Sequence, residues 1–97
     1  MDKDEAYQEK MEAQLKLLSA RIDELKAKAQ KAKTEAKIEY MEGLDALEKK
    51  RNDVKTRLEE VKKVGKSAGK DLKAGIEASL FDLKKAVESA LARFKQD

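Results

Sequence analysis

Larger apolar residues and alanines in this chain fall on three series whose spacing alternates between four and three. This is the pattern of a helix that offers one narrow stripe to a partner helix. The first series is Met11, Leu15, Leu18, Ile22, Leu25, Ala29, Ala32, Ala36. The second is Tyr40, Leu44, Leu47, Arg51, Val54, Leu58, Val61, and the third is Ile76, Leu80, Leu83, Val87, Ala90, Phe94. Only Arg51 interrupts the apolar pattern. No segment carries the period-two alternation of a half-buried strand, so the expected class is all-α. Of the 39 apolar residues, 14 are alanine and 25 are larger. That is too few for a thick core and enough for one stripe on each of a few helices. Residues 1–97 are read as a single helical coiled-coil domain.

The element boundaries follow from the breaks in the seam. Between Ala36 and Tyr40 the step is four where the heptad requires three, a skip on Ile38 that either unwinds a supercoil locally or marks a turn. The clearest break is Gly65-Lys66-Ser67-Ala68-Gly69, preceded by Lys62 and Lys63 where a helix C-terminus favours cations. Lys33 to Glu42 reads KTEAKIEYME, good helix formers without a turn signal, and a lone Gly43 costs only about 1 kcal/mol inside a helix. The sequence therefore predicts a long helix over about 4–64, a turn over 65–69 and a shorter helix over about 70–95, packed as an antiparallel coiled-coil hairpin. The alternative is a monomeric three-helix bundle with a turn near Ile38 to Gly43.

Seam arithmetic then gives a register. Pairing Ile76 with Leu58, Leu80 with Val54, Leu83 with Arg51, Val87 with Leu47, Ala90 with Leu44 and Phe94 with Tyr40 makes every pair sum to 134, which centres the hairpin on Ser67. The first series pairs Leu15 with Val61, Leu18 with Leu58, Ile22 with Val54, Leu25 with Arg51, Ala29 with Leu47, Ala32 with Leu44 and Ala36 with Tyr40. These sum to 76 and centre on Ile38. The two registers together set residue k of the last helix beside residue k minus 58 of the first, with Ile76 beside Leu18, Leu80 beside Ile22 and Leu83 beside Leu25. A centre that coincides with the skip is what an antiparallel homodimer of the long helix would produce, each end a hairpin of one chain plus the N-terminal arm of the other. A chain that turns back at Ile38 is the intramolecular counterpart. The dimer would be a rod of about 90 Å with a radius of gyration near 26 Å, against roughly 17 to 18 Å for the monomeric bundle.

The charges come in blocks. A net charge of +3 is the small difference between 23 basic and 20 acidic residues, but residues 26–37 carry +4, residues 39–48 carry −4 and residues 62–73 carry +4. Blocks of alternating sign suit helices that recognise other helices. In the 76-sum register Lys28 meets Glu48, Lys31 meets Asp45 and Lys37 meets Glu39. With no cysteine and no histidine, the chain lacks a thiolate, an imidazole base and the usual ligands for zinc, haem or iron–sulfur clusters. No enzymatic activity, cofactor or metal is expected. No apolar run is long enough for a signal peptide or a membrane span, and a cytoplasmic location is expected.

Several local patterns invite a sharper reading. Gly65-Lys66-Ser67 resembles the end of a phosphate-binding loop, but Glu60 stands where that motif needs glycine and a helix precedes it instead of a strand. Glu39, Glu42, Asp45 and Glu48 form an acidic ladder without a loop to gather the oxygens around a cation, so the facing lysine block explains it better. Lys26, Lys28, Lys31 and Lys33, with Lys62, Lys63, Lys66, Lys70 and Lys73, lack the interleaved aromatics that stack bases, and nucleic acid is disfavoured as a partner. Arg51 is read as a register-fixing residue whose guanidinium reaches a rim carboxylate such as Glu48 or Glu24. Phe81 and Leu91 lie beside the third seam and widen its apolar face, either to pack against a third helix or to meet a lipid or granule surface. Packing is preferred, because the N-terminal arm supplies that third helix. Tyr7, Met11, Tyr40 and Phe94 are read as seam or near-seam packing.

On the segments AYQEKMEAQL (6–15), IDELKAKAQKAK (22–33), KIEYMEGLDALEKKR (37–51) and GKDLKAGIEASLFDLKKAVESALARFK (69–95), the chain resembles a family of short bacterial all-helical coiled-coil proteins described as stress-response proteins. Members often carry tryptophan near Ser79-Leu80-Phe81, where Phe81 keeps only the aromatic character. The resemblance implies a non-enzymatic helical protein and supplies no catalytic residues. The expected function is accordingly self-association and helix-surface binding, with an antiparallel homodimer and an unidentified protein as expected partners. An amphipathic coat on a lipid or granule surface, using the last helix, is the alternative.

Overall fold

The computed structural model describes residues 3–65 and 69–94. They form three helices, α1 (Lys3–Lys31), α2 (Thr34–Val64) and α3 (Lys70–Phe94), and no strand occurs among the described residues. Each helix packs on the other two, and the chain measures 49 × 21 × 17 Å with a radius of gyration of 15.4 Å.

The expected continuous helix over 4–64 is interrupted at Ala32 and Lys33. Lys33 is extended, with φ −67° and ψ 156°, and no side chain caps α2. The backbone itself closes both ends: the Ala32 N–H donates to Ala29 O at 3.2 Å, and the Lys37 N–H donates to Lys33 O at 2.7 Å. Lys28 and Lys31 fill the last turn of α1 and Glu35 the first turn of α2, each sign where the helix macrodipole favours it. The break thus falls at the front of the heptad skip, before the Ile38–Gly43 window, and both Ile38 and Gly43 lie inside α2. Ala32 lies in the connection and still packs half-buried against the core, as Ala36 does from α2.

The stripes account for the interior. Met11, Leu18, Ile22, Leu25 and Ala29 of α1 are buried together with Tyr40, Leu44, Leu47, Val54, Leu58 and Val61 of α2 and Ile76, Leu80, Leu83, Val87, Ala90 and Phe94 of α3. Leu15 packs half-buried against them. Burying one such aliphatic side chain contributes roughly 1.5–3 kcal/mol. No polar or charged residue among those described is buried.

Across α2 and α3 the register matches the 134-sum pairing. The Tyr40 and Phe94 rings stack with centroids 3.9 Å apart, and Lys50–Asp82 and Arg93–Glu39 pair at 2.6 Å, one step away at sums of 132. The side of α1 differs. Tyr7 Oη reaches Lys73 O and Glu77, and Lys73 reaches Asp4, at sequence separations of 66, 70 and 69 in place of 58. Against α2, Glu12 of α1 pairs with Lys62 at a sum of 74, close to the expected 76, so the shift of several residues lies between α1 and α3. Tyr7, not Leu18, therefore meets the start of α3. The expected pairs Lys28–Glu48, Lys31–Asp45 and Lys37–Glu39 do not form; Glu12–Lys62 and Glu39–Arg93 are made instead.

α2 ends at Gly65, whose φ of +62° is a left-handed value that suits glycine, and its N–H donates to Val61 O. The rest of the expected turn, Lys66, Ser67 and Ala68, and the expected helix end at Lys95 lie outside the described residues.

Gly43 gives a direct check on α2. A Cβ there would meet nothing within 4 Å, so Gly43→Ala should raise stability by about 0.5–1 kcal/mol through helix propensity. Denaturant unfolding measures this; a loss of stability would mean that the chain turns at Gly43.

Candidate functional site

What the seams leave outside decides where this chain can bind. The large hydrophobic side chains left exposed among the described residues are Leu17, Ile38, Met41, Val64 and Phe81. Leu17 precedes the seam residue Leu18, and Phe81 follows the seam residue Leu80, so each points just outside the stripe of its helix. They stand on either side of a groove of about 590 Å³ between α1 and α3, with Met11, Leu18 and Leu80 along its lining and Lys10, Arg21, Glu77 and Lys84 among its polar residues. No α2 residue lines it. Phe81 is 59% exposed, and the Lys85 ammonium lies 5.1 Å from its ring centroid, a cation–π arrangement one helical turn on.

This corrects the preference for packing both residues. α3 spends Ile76, Leu80, Leu83 and Val87 on the core, and the shifted α1 leaves Phe81 at the groove mouth. Leu91 is half-buried against the core. The two residues therefore do not form one widened face. Leu17 was missed by the heptad reading because it is an off-seam leucine; its signal was the doubled leucine in Leu17-Leu18.

The second patch lies on α2, where Thr34, Lys37, Ile38, Met41, Glu42 and Asp45 cluster. Ile38, the residue on the skip, is 60% exposed. In the acidic ladder Glu39 is engaged by Arg93 at 2.6 Å, and no group of three or more acidic side chains among the described residues is arranged to hold a metal ion. Arg51 is half-buried and forms no ion pair with a described residue; it lines a shallow recess between α1 and α2 beside Leu15, Ser19 and Lys55. The expected partners Glu48 and Glu24 do not engage it. Lys66 and Ser67 of the phosphate-loop pattern lie outside the described residues.

At the start of α1, Tyr7 joins α1 to α3. Its hydroxyl faces Lys73 O at 3.2 Å and Glu77 Oε1 at 3.3 Å. Lys73 sits 5.1 Å from the ring centroid and pairs with Asp4 at 3.3 Å. Desolvation, with the Glu77 carboxylate and its hydrogen bond in support, raises the Tyr7 pKa above the ordinary 10.0.

No helix among the described residues is long and apolar enough to cross a membrane. Compared with known proteins, the chain matches no family model, no curated protein and no solved structure.

The Tyr7 shift has a definite sign. A proton held more tightly when folded gives stability that is complete below pH 10 and is lost as pH rises through the folded pKa. Melting temperatures from pH 8 to 11.5 should fall more steeply for the native chain than for Tyr7→Phe, lysine titration being common to both. Parallel curves would contradict the contact.

Proposed function

We propose that this protein is a non-enzymatic helical interaction module, a structural or stress-related protein of the kind its sequence resembles, acting by binding through helix surfaces. The observation that carries the reading is the α1–α3 groove, where two aliphatic and aromatic side chains more than half exposed, Leu17 and Phe81, border an apolar lining with cations around it. Exposed apolar surface framed by polar residues is the usual form of an interaction site.

In this reading one chain closes on itself as a three-helix bundle. The extended backbone of Lys33 and the chain reversal it permits support that form. The antiparallel homodimer, with α1 exchanged between two chains, uses the same stripes and needs Ala32 and Lys33 to become helical. The coat on a lipid or granule surface draws support from Phe81 beside Lys84 and Lys85. Leu91 packs inward, however, so that face offers little apolar area to an interface whose binding scales with it.

The test is co-purification of the tagged chain from its source cells, with mass spectrometry of what is retained. The Leu17→Ser/Phe81→Ser double variant should melt within about 0.5 kcal/mol of the native chain, because both sites are exposed, and should lose the retained proteins. Retention of the same proteins by the variant, or of none by either chain, would overturn the reading. Flotation of the native chain alone with phosphatidylserine vesicles would favour the coat.

A further inference from the structure

We propose that the occupant of the α1–α3 groove is the α2 patch of a second copy of this chain, so that copies associate head to tail through two different surfaces. The inference rests on the interaction-module reading and names its partner. Among the described residues, four of the five exposed large hydrophobics divide into two patches, Leu17 with Phe81 and Ile38 with Met41. The charges around them are opposite. Lys10, Arg21 and Lys84 outnumber Glu77 in the groove, with Lys85 over Phe81. On α2, Glu42 and Asp45 outnumber Lys37, in a stretch, 39–48, that holds four acidic residues and no basic one.

The spacing on α2 also suits a groove. Ile38 and Met41 are three apart on one helix and so form a single projection, and a helix presenting such a pair into an apolar groove is a recurring mode of recognition. With Ile38 and Met41 between Leu17 and Phe81, and the partner copy's α2 running in the direction of α1, Glu42 and Asp45 fall toward Arg21, Lys84 and Lys85. None of these five charged groups is used in an ion pair with a described residue of its own chain; ion pairs among the described residues include Lys50–Asp82, Arg57–Asp53, Lys62–Glu12, Lys73–Asp4 and Arg93–Glu39. Opposite charges that meet across an interface favour this partner and disfavour groove-on-groove contact, which would oppose like charges.

The groove excludes α2 while the projection is on α2, so one chain cannot satisfy itself. A contact between unlike surfaces adds copies until it closes a ring, or continues as a filament. One helix in a short groove buries less than the roughly 800 Å² per partner of a stable interface, so association should be weak and reversible.

Because the two surfaces differ, they can be disabled separately. Phe81→Ser spoils the groove and keeps the projection, and Ile38→Ser does the reverse; both side chains are about 60% exposed, and melting curves check that each variant stays folded. In sedimentation velocity the native chain should gain mass with concentration, and raising salt from about 0.05 to 0.5 M should weaken this. Either variant alone should associate at least about tenfold more weakly, and an equimolar mixture should form a capped one-to-one complex. Lys84→Glu should disrupt association and Lys84→Glu with Asp45→Lys should restore it. A native chain monomeric to about 1 mM overturns the inference, as does a mixture no more associated than its components. Neither result touches the interaction-module reading, which falls only if the native chain and the Leu17→Ser/Phe81→Ser variant retain the same proteins or none. Association unchanged in both single variants assigns it to exchanged α1 helices and likewise overturns the inference.

Discussion

Every other feature here depends on the narrowness of the apolar stripe. A helix with one apolar position every three or four residues has only a seam to bury, so its stability depends on neighbours that close over that seam. Three stripes closing on one another remove Ile22, Leu25, Val54, Val61, Ile76, Leu83 and Val87 almost wholly from solvent. Alanine positions such as Ala29 and Ala90 bring backbones close where a larger side chain would hold them apart. Charged residues make up 44% of the chain, and none of those described is buried; their surface pairs add little to stability and much to the choice of neighbour.

Most of this was legible in the residues, and where it was not the cause is specific. The stacking of Tyr40 on Phe94 follows from a heptad count that centres on a glycine-bounded turn, because glycine marks a left-handed cap and the count has one solution. The break at Ala32–Lys33 was not legible. It contains no glycine, proline or capping side chain, and its backbone bonds are made locally. The skip announced that the seam loses register nearby, yet a seam of alanines cannot say on which residue a chain bends. The α1–α3 register and three expected ion pairs differ as well, as the contacts of Tyr7 and Lys73 show.

The groove was half legible. Phe81 stood out as an aromatic beside the seam, but its exposure depends on where α1 lies along α3, and the contacts of Tyr7 place α1 several residues from the heptad expectation. Leu91, read on the same face, is drawn inward. The arrangement that results separates two jobs. The stripes hold the bundle, and a few apolar residues left beside them, with charges that the described residues do not neutralise, form the surface on which the proposed function rests.

The central claim is that α1 folds back along α2 of the same chain. Glu12 and Lys62 pair across that contact, while a continuous helix would hold the same residues about 75 Å apart. The chain has no cysteine, so cysteines placed at these two positions take spin labels cleanly. Pulsed electron–electron spin resonance on the doubly labelled chain, diluted in excess unlabelled protein to suppress distances between chains, should give a separation below about 30 Å, set by adjacent helices 8–10 Å apart and two label tethers. A population centred near 75 Å would contradict the account.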